Sequence, residues 1–219
     1  KNHPQVVSIL IAAGADLELK REQDRLNALL LAAKNGELEM VELLISAGVS
    51  LSSKGPTGES ALHVSAMNGN VRVTKALIEA GAPIDVQNVG GETAAVLASI
   101  EGHAKVMEVL VKAQADLMKR DIYGATPLLR ASRNGHAKVV EVLVAAGVVL
   151  DDRLSPKGPT ALHLAVRKGH LQVAQVLVRA GASQDLKFEG GGTPLDDARI
   201  LGHHSLISFL ENFQALAVR

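Results

Sequence analysis

The 219 residues carry 23 basic and 23 acidic side chains, so the formal charge is zero and no global field draws nucleic acid or an acidic membrane. The absence of cysteine excludes disulfides and thiolate metal sites, and it fits a reducing, intracellular and cytoplasmic setting. Hydrophobic residues reach 47% while aromatics reach only 2%, so a core must come from Leu, Val, Ile and Ala; no apolar run approaches membrane-spanning length, and no signal peptide is expected.

In chain order, the first predicted element is the helix in HPQVVSILIAAGAD. It reads as the second helix of a hairpin, a half repeat over about residues 2–20, with Val6, Val7, Leu10 and Ile11 partly uncovered. Full burial of such a side chain is worth about 1.5–3 kcal/mol. The expectation is therefore that an upstream segment covers this face, or that the chain is part of a longer protein.

From Asn27 onward one block returns. Its anchors are Asn27, Ser60, Thr93, Thr126, Thr160 and Thr193, spaced by 33 residues except for 34 between Thr126 and Thr160. Five positions after each anchor stands a small residue (Ala32, Ser65, Ala98, Ala131, Ala165, Ala198), and nine positions after it a glycine (Gly36, Gly69, Gly102, Gly135, Gly169, Gly202). A second glycine follows twelve residues later at Gly48, Gly81, Gly147 and Gly181. A fixed period of this size predicts a stack of small units sharing one core, a single domain over residues 1–219. The copy at Thr160 shows the unit best. Thr160 caps a short helix over about 161–168, Gly169 ends it, and a second helix from near His170 buries Val173, Val176, Leu177 and Val178 before Gly181. The polar stretch beyond, up to Gly191, reads as a projecting turn.

Departures from the pattern carry expectations of their own. Arg25 stands where later copies have Gly58, Gly91, Gly124, Gly158 and Gly191, so the first projecting turn should be irregular. Gln114 replaces the glycine that closes the third copy, a position where a non-glycine residue costs roughly 1 kcal/mol and predicts a soft joint. The longer stretch before Thr160 holds Pro156 and Pro159 and should project differently. Glu211 takes a slot held elsewhere by Val or Ile, a polar outer face that suits a terminal cap finishing near Arg219.

The strings ALHVSAMNGN, TPLLRASRNGH, TALHLAVRKGH and TPLDDARILGH, with tails such as VVEVLVAAGV, resemble the ankyrin repeat, and the likeness covers the chain as a half repeat and six full ones. The resemblance implies an all-α solenoid of helix-turn-helix units with short hairpin-like fingers, a concave face of fingers and inner helices, and function by binding protein there. The third copy, TAAVLASIEGH, lacks the Pro-Leu-His part. Residues Glu18, Ser52, Asp85, Met118, Asp151 and Asp185 stand where many members carry a hydroxylated Asn, so that modification is not expected.

Chemical motifs weigh less. Seven of the eight histidines fall in repeat slots, where a histidine satisfies backbone groups; His203-His204 lacks further ligands for a metal. Asp196-Asp197 has no fixed partner acid or nucleophile, and Gly190-Gly191-Gly192 lacks the lysine and buried strand of a phosphate loop. No catalytic, cofactor or metal site is expected.

By offset from the anchors, the resemblance places partner contacts on the fingers at Leu26, Glu59, Val89, Glu92, Ile122, Tyr123 and Lys157, and on the inner helices at Lys34, Met67, Ile100, Arg133, Asn134, Arg167 and Lys168. Apolar members of this set gather in the first four copies, and Tyr123 is the best candidate for a hot spot. Charge is polarised: Asp24, Glu59, Glu92 and Glu101 lie toward the first half; Arg130, Arg133, Arg153, Lys157, Arg167, Lys168 and Lys187 lie toward the second. The resulting expectation is a non-enzymatic scaffold, monomeric or part of a larger chain, whose protein partner is acidic where it meets copies four and five. The alternatives are a regulatory or targeting array belonging to a larger channel, kinase or other enzyme, or an effector of an intracellular bacterium.

Overall fold

The computed structural model describes residues 3–217, with side chains through residue 213. Asn2 of the half repeat and the Arg219 end of the array lie outside the described residues. Thirteen helices account for nearly all regular structure among them, and one isolated antiparallel bridge joins Arg153 to Thr160. The chain divides into two compact units, residues 1–116 and 117–219, with the boundary two residues beyond Gln114.

The first unit holds α1 (Pro4–Ala12), α2 (Ala28–Asn35), α3 (Leu38–Ser46), α4 (Ala61–Met67), α5 (Val71–Glu79), α6 (Ala94–Glu101) and α7 (Ala104–Lys112). The inner helices α2, α4 and α6 pack in one row and the outer helices α1, α3, α5 and α7 in another, each inner helix also packing on the outer helix that follows it. The second unit repeats the plan with α8 (Pro127–Asn134), α9 (Ala137–Ala145), α10 (Ala161–Arg167), α11 (Leu171–Arg179), α12 (Pro194–Ile200) and α13 (His204–Ala217). Here α8, α10 and α12 form the inner row, and α9, α11 and α13 the outer.

Local chemistry explains these elements. Every anchor residue has extended backbone and stands at the N-cap of the helix that follows it, and all but Thr126 cap it with their side chain; Asn27, for example, accepts from the Leu30 N–H. The small residues five positions on are all at most 1% exposed, which is what lets successive inner helices approach. The core is Leu, Val, Ala and Met, as the composition requires. In the unit read most closely from sequence, Val173, Leu177 and Val178 are buried, but Ala174 takes the place expected for Val176, which stays half-covered. Val6 and Leu10 on α1 are about half exposed, and α1 buries none of its residues.

Among the described residues, two non-glycine residues occupy the left-handed region, Gln114 at φ 59° and Arg25 at φ 55°. The first finger is wider than the second, third and fourth. Its Arg21 N–H bonds to the Leu26 carbonyl and Arg25 N–H to that of Arg21, each one residue longer than the Asn88–Glu92 and Gly91–Asn88 bonds of the third finger. The finger before Thr160 takes up its extra residue between Leu154 N–H and the Pro159 carbonyl. Both widened turns fall where the sequence departs from the repeat, at Arg25 and at the extra residue before Thr160.

Candidate partner-binding face

The histidines serve the stack. His63 Nδ1 lies 3.1 Å from the Ser60 N–H and its Nε2 lies 3.0 Å from the Glu92 carbonyl. A backbone N–H can only donate and a carbonyl can only accept, so the ring is neutral with its proton on Nε2. His163 repeats this between Thr160 and Gly192. Burial pushes both imidazoles below the ordinary histidine value, with their backbone partners working the other way. A second set caps helix ends: His103 Nε2 donates to the Met67 carbonyl at 3.0 Å, His170 Nε2 to that of Arg133 at 3.1 Å, and Asn70 Nδ2 to that of Ala33 at 2.8 Å. Each reaches back one repeat to a carbonyl in the last turn of the preceding inner helix, where carbonyls lack a full set of helical partners. Among the described residues, no three His, Cys, Asp or Glu side chains come together as metal ligands would.

The paired carboxylates divide their labour. Asp196 completes a capping box with Thr193, whose N–H and Oγ1–H donate to Asp196 Oδ2 at 2.9 and 2.8 Å; those bonds hold its pKa below the usual carboxylate range. Asp197 is 7% exposed, and burial pushes its carboxyl up, opposed by the Arg167 guanidinium.

The expected contact residues do not all stand at the surface. Leu26 is a correction: it is 6% exposed, because the residue before an N-cap packs back against the first turn, and Ala125 in the same slot is buried too. Glu59 and Glu92 are half-buried and brace their own fingers, Glu59 accepting the Thr57 N–H at 2.9 Å and Glu92 the Asn88 amide at 2.8 Å. Asp24 pairs with Arg21, Arg153 donates to the Gly158 and Lys187 carbonyls, and Lys157 lies 3.6 Å from Glu189. Ile100 is half-covered, while Lys34, Met67 and Val89 are exposed in the first unit.

The second unit concentrates the rest. Ile122 and Tyr123 are 64% and 69% exposed at a finger tip. Asp121, whose carboxylate is fully buried, organises that finger: Oδ1 accepts the Tyr123 and Ala125 N–H groups, and Oδ2 receives both Nε and Nη2 of Arg130 at 2.6 and 2.5 Å. Arg130 in turn lies over the Tyr123 ring, 5.2 Å from its centre. Tyr123, Arg133 and Asn134 line one cleft of about 610 Å³ together with Leu129, Leu154 and Leu164. Arg167 stands one turn beyond Leu164, stacked 5.3 Å over Phe188, with Lys168 exposed beside it. Arg133, Arg167 and Lys168 form no ion pair among the described residues.

Sequence reading missed Leu164, Phe188, Ile200 and Leu201. Ile200 and Leu201 are 79% and 48% exposed, so exposed apolar residues are not confined to the first four copies. Their signal was available: they stand seven and eight after Thr193, as Arg133-Asn134 and Arg167-Lys168 stand after their own anchors.

The family model described as ankyrin repeats, three copies, matches residues 1–88, 62–153 and 147–215. The chain belongs to the ankyrin repeat family. Its fold is similar to the crystal structure of the human ASB11 ankyrin repeat domain, with a TM-score of 0.76 and 29% identity over 86% of this chain and 84% of that one. The search of curated proteins returns no match. Ankyrin repeats are in general non-catalytic modules for protein–protein interaction, and this chain carries that architecture through its helical hairpins. Among the described residues no helix is long and apolar enough to cross a membrane.

Proposed function

We propose that this chain is a non-enzymatic protein-binding scaffold, and that its inner helices and fingers over residues 117–219 hold a partner segment that is acidic where it crosses the copies anchored at Thr126 and Thr160. The observation that carries this reading is the Tyr123 ring: it is exposed, held by the buried Asp121–Arg130 pair, and sits on a cleft whose next cationic residue, Arg133, has no ion pair. A fixed aromatic beside an exposed arginine that has no ion pair suits a hot spot, because little conformational entropy is lost on contact. The carboxylates that suggested chemistry are occupied otherwise, Asp196 as a helix cap and Asp197 in burial.

The test is selection of a displayed random-peptide library on the protein, followed by affinity measurement. Enriched peptides should be acidic, and Tyr123→Ala and Arg133→Glu should each weaken them by about tenfold or more. Peptides that bind both variants as well as the parent would remove this placement.

A further inference from the structure

Resting on that reading of the second unit, we infer that the bound segment is a polyproline II stretch with acidic side chains three residues apart, followed or preceded at the same spacing by a large aliphatic one. The surface presents a row, one side chain per hairpin: Arg133 on α8, Arg167 on α10 and Ile200 on α12, all exposed and all seven residues after their anchors. These helices pack side by side, α8 on α10 and α10 on α12. Adjacent packed helices lie about 8–10 Å apart, and that distance is the ruler a ligand must match.

Three backbone forms can be measured against it. In a β-strand, side chains three residues apart point to opposite faces, so they cannot meet one row. A polyproline II helix returns to the same face every three residues after about 9 Å, one hairpin step. An α-helix reaches a comparable distance only after seven residues, about 10 Å, and with a width of about 10–12 Å it stands out of the cleft rather than filling it. An aromatic ring agrees with the second form. Tyr123 lines the cleft beside Arg133 at the first end of the row, and polyproline II segments dock on aromatic-lined grooves. Charge supplies the side-chain choice: Arg133 and Arg167 take carboxylates, and the exposed Ile200 takes an aliphatic group. Prolines between these contacts lower the ordering cost of the free peptide.

The experiment is fluorescence anisotropy on the full chain with labelled synthetic peptides. One pair carries glutamates at positions 1 and 4 and leucine at 7, and the reverse order, with proline-rich spacers. Controls place the glutamates two apart, or seven apart in a helix-forming peptide. One polarity of the first pair should bind about tenfold or more tightly than either control. Arg133→Glu and Arg167→Glu should each remove that preference, whereas Ile200→Ser should weaken only peptides carrying the leucine. Equal or tighter binding by the helical or two-apart control overturns the inference, as does indifference to the three substitutions. If library peptides that depend on Tyr123 lack this register, the register fails while the binding face stands; if no peptide depends on Tyr123, both fail.

Discussion

His63 and His163 show how much a single side chain carries in this fold. Each is neutral, buried and bonded at both ring nitrogens, so protonation would turn the acceptor nitrogen into a second donor facing a backbone N–H. Their folded-state pKa values are depressed, so the unfolded chain takes up protons first on acidification. Stability is therefore complete above the ordinary histidine pKa and is lost as pH falls below it toward the folded values. The melting temperature should drop between pH 7.5 and 5.5, and a His63→Gln, His163→Gln double variant should show a shallower dependence over that window. Asp121 makes a second point at this scale. Asp121→Ala would leave the largely buried Arg130 unpaired and two finger N–H groups without an acceptor, so it should cost about 3 kcal/mol in denaturant unfolding. The histidine slots were legible in the sequence because they recur with the period. The Asp121–Arg130 pair was not, because its two members fall in positions that differ from copy to copy.

At the level of the hairpin, glycine decides where helices stop. Gly69 at φ 71° also lies beneath the His103 ring, where an added Cβ would come within 2.7 Å of Nδ1, and Gly135 repeats this under His170. The third hairpin closes without glycine, and Gln114 sits there at φ 59°. Gln114→Gly should stabilise the chain by up to about 1 kcal/mol, read as a higher thermal midpoint, because it removes the Cβ clash of the left-handed conformation. An unchanged or lower midpoint would show that the gain in unfolded-state freedom outweighs the relief. Arg25 at φ 55° offers the same comparison in a finger. Element boundaries were readable to within a residue or so, since caps and left-handed glycines are local requirements. Burial of Ala174 in place of Val176 was not, because it depends on how α11 is rotated against its neighbours.

For the molecule as a whole, a formal charge of zero hides a segregated surface. Several charges that looked available are spent on fingers: Glu59, Glu92 and Asp24 within their own, Arg153 on its own and the next, and Lys157 on the next. What remains on the second unit's inner helices is cationic, chiefly Arg133, Arg167 and Lys168. Binding of an acidic peptide there should weaken several-fold between 50 and 500 mM salt, with the change mainly in the association rate, as the Debye length shortens from more than 10 Å toward 3 Å. Reversing all three residues to Glu should abolish both the binding and its salt dependence; affinity that holds across the salt series would place the contact elsewhere.

The amino-acid sequence by itself determined the repeat, its helices, its caps and its family, because each rests on short-range chemistry: a hydroxyl or amide at an N-cap, a glycine at positive φ, a small side chain where helices touch. Only the tertiary structure decided which variable residues face solvent. Leu26 turned inward, Glu59 and Glu92 turned onto their fingers, and Ile200 was left uncovered beside the arginines. That choice depends on what the neighbouring hairpin covers and on which hydrogen-bond partner lies in reach, and neither is written in the period.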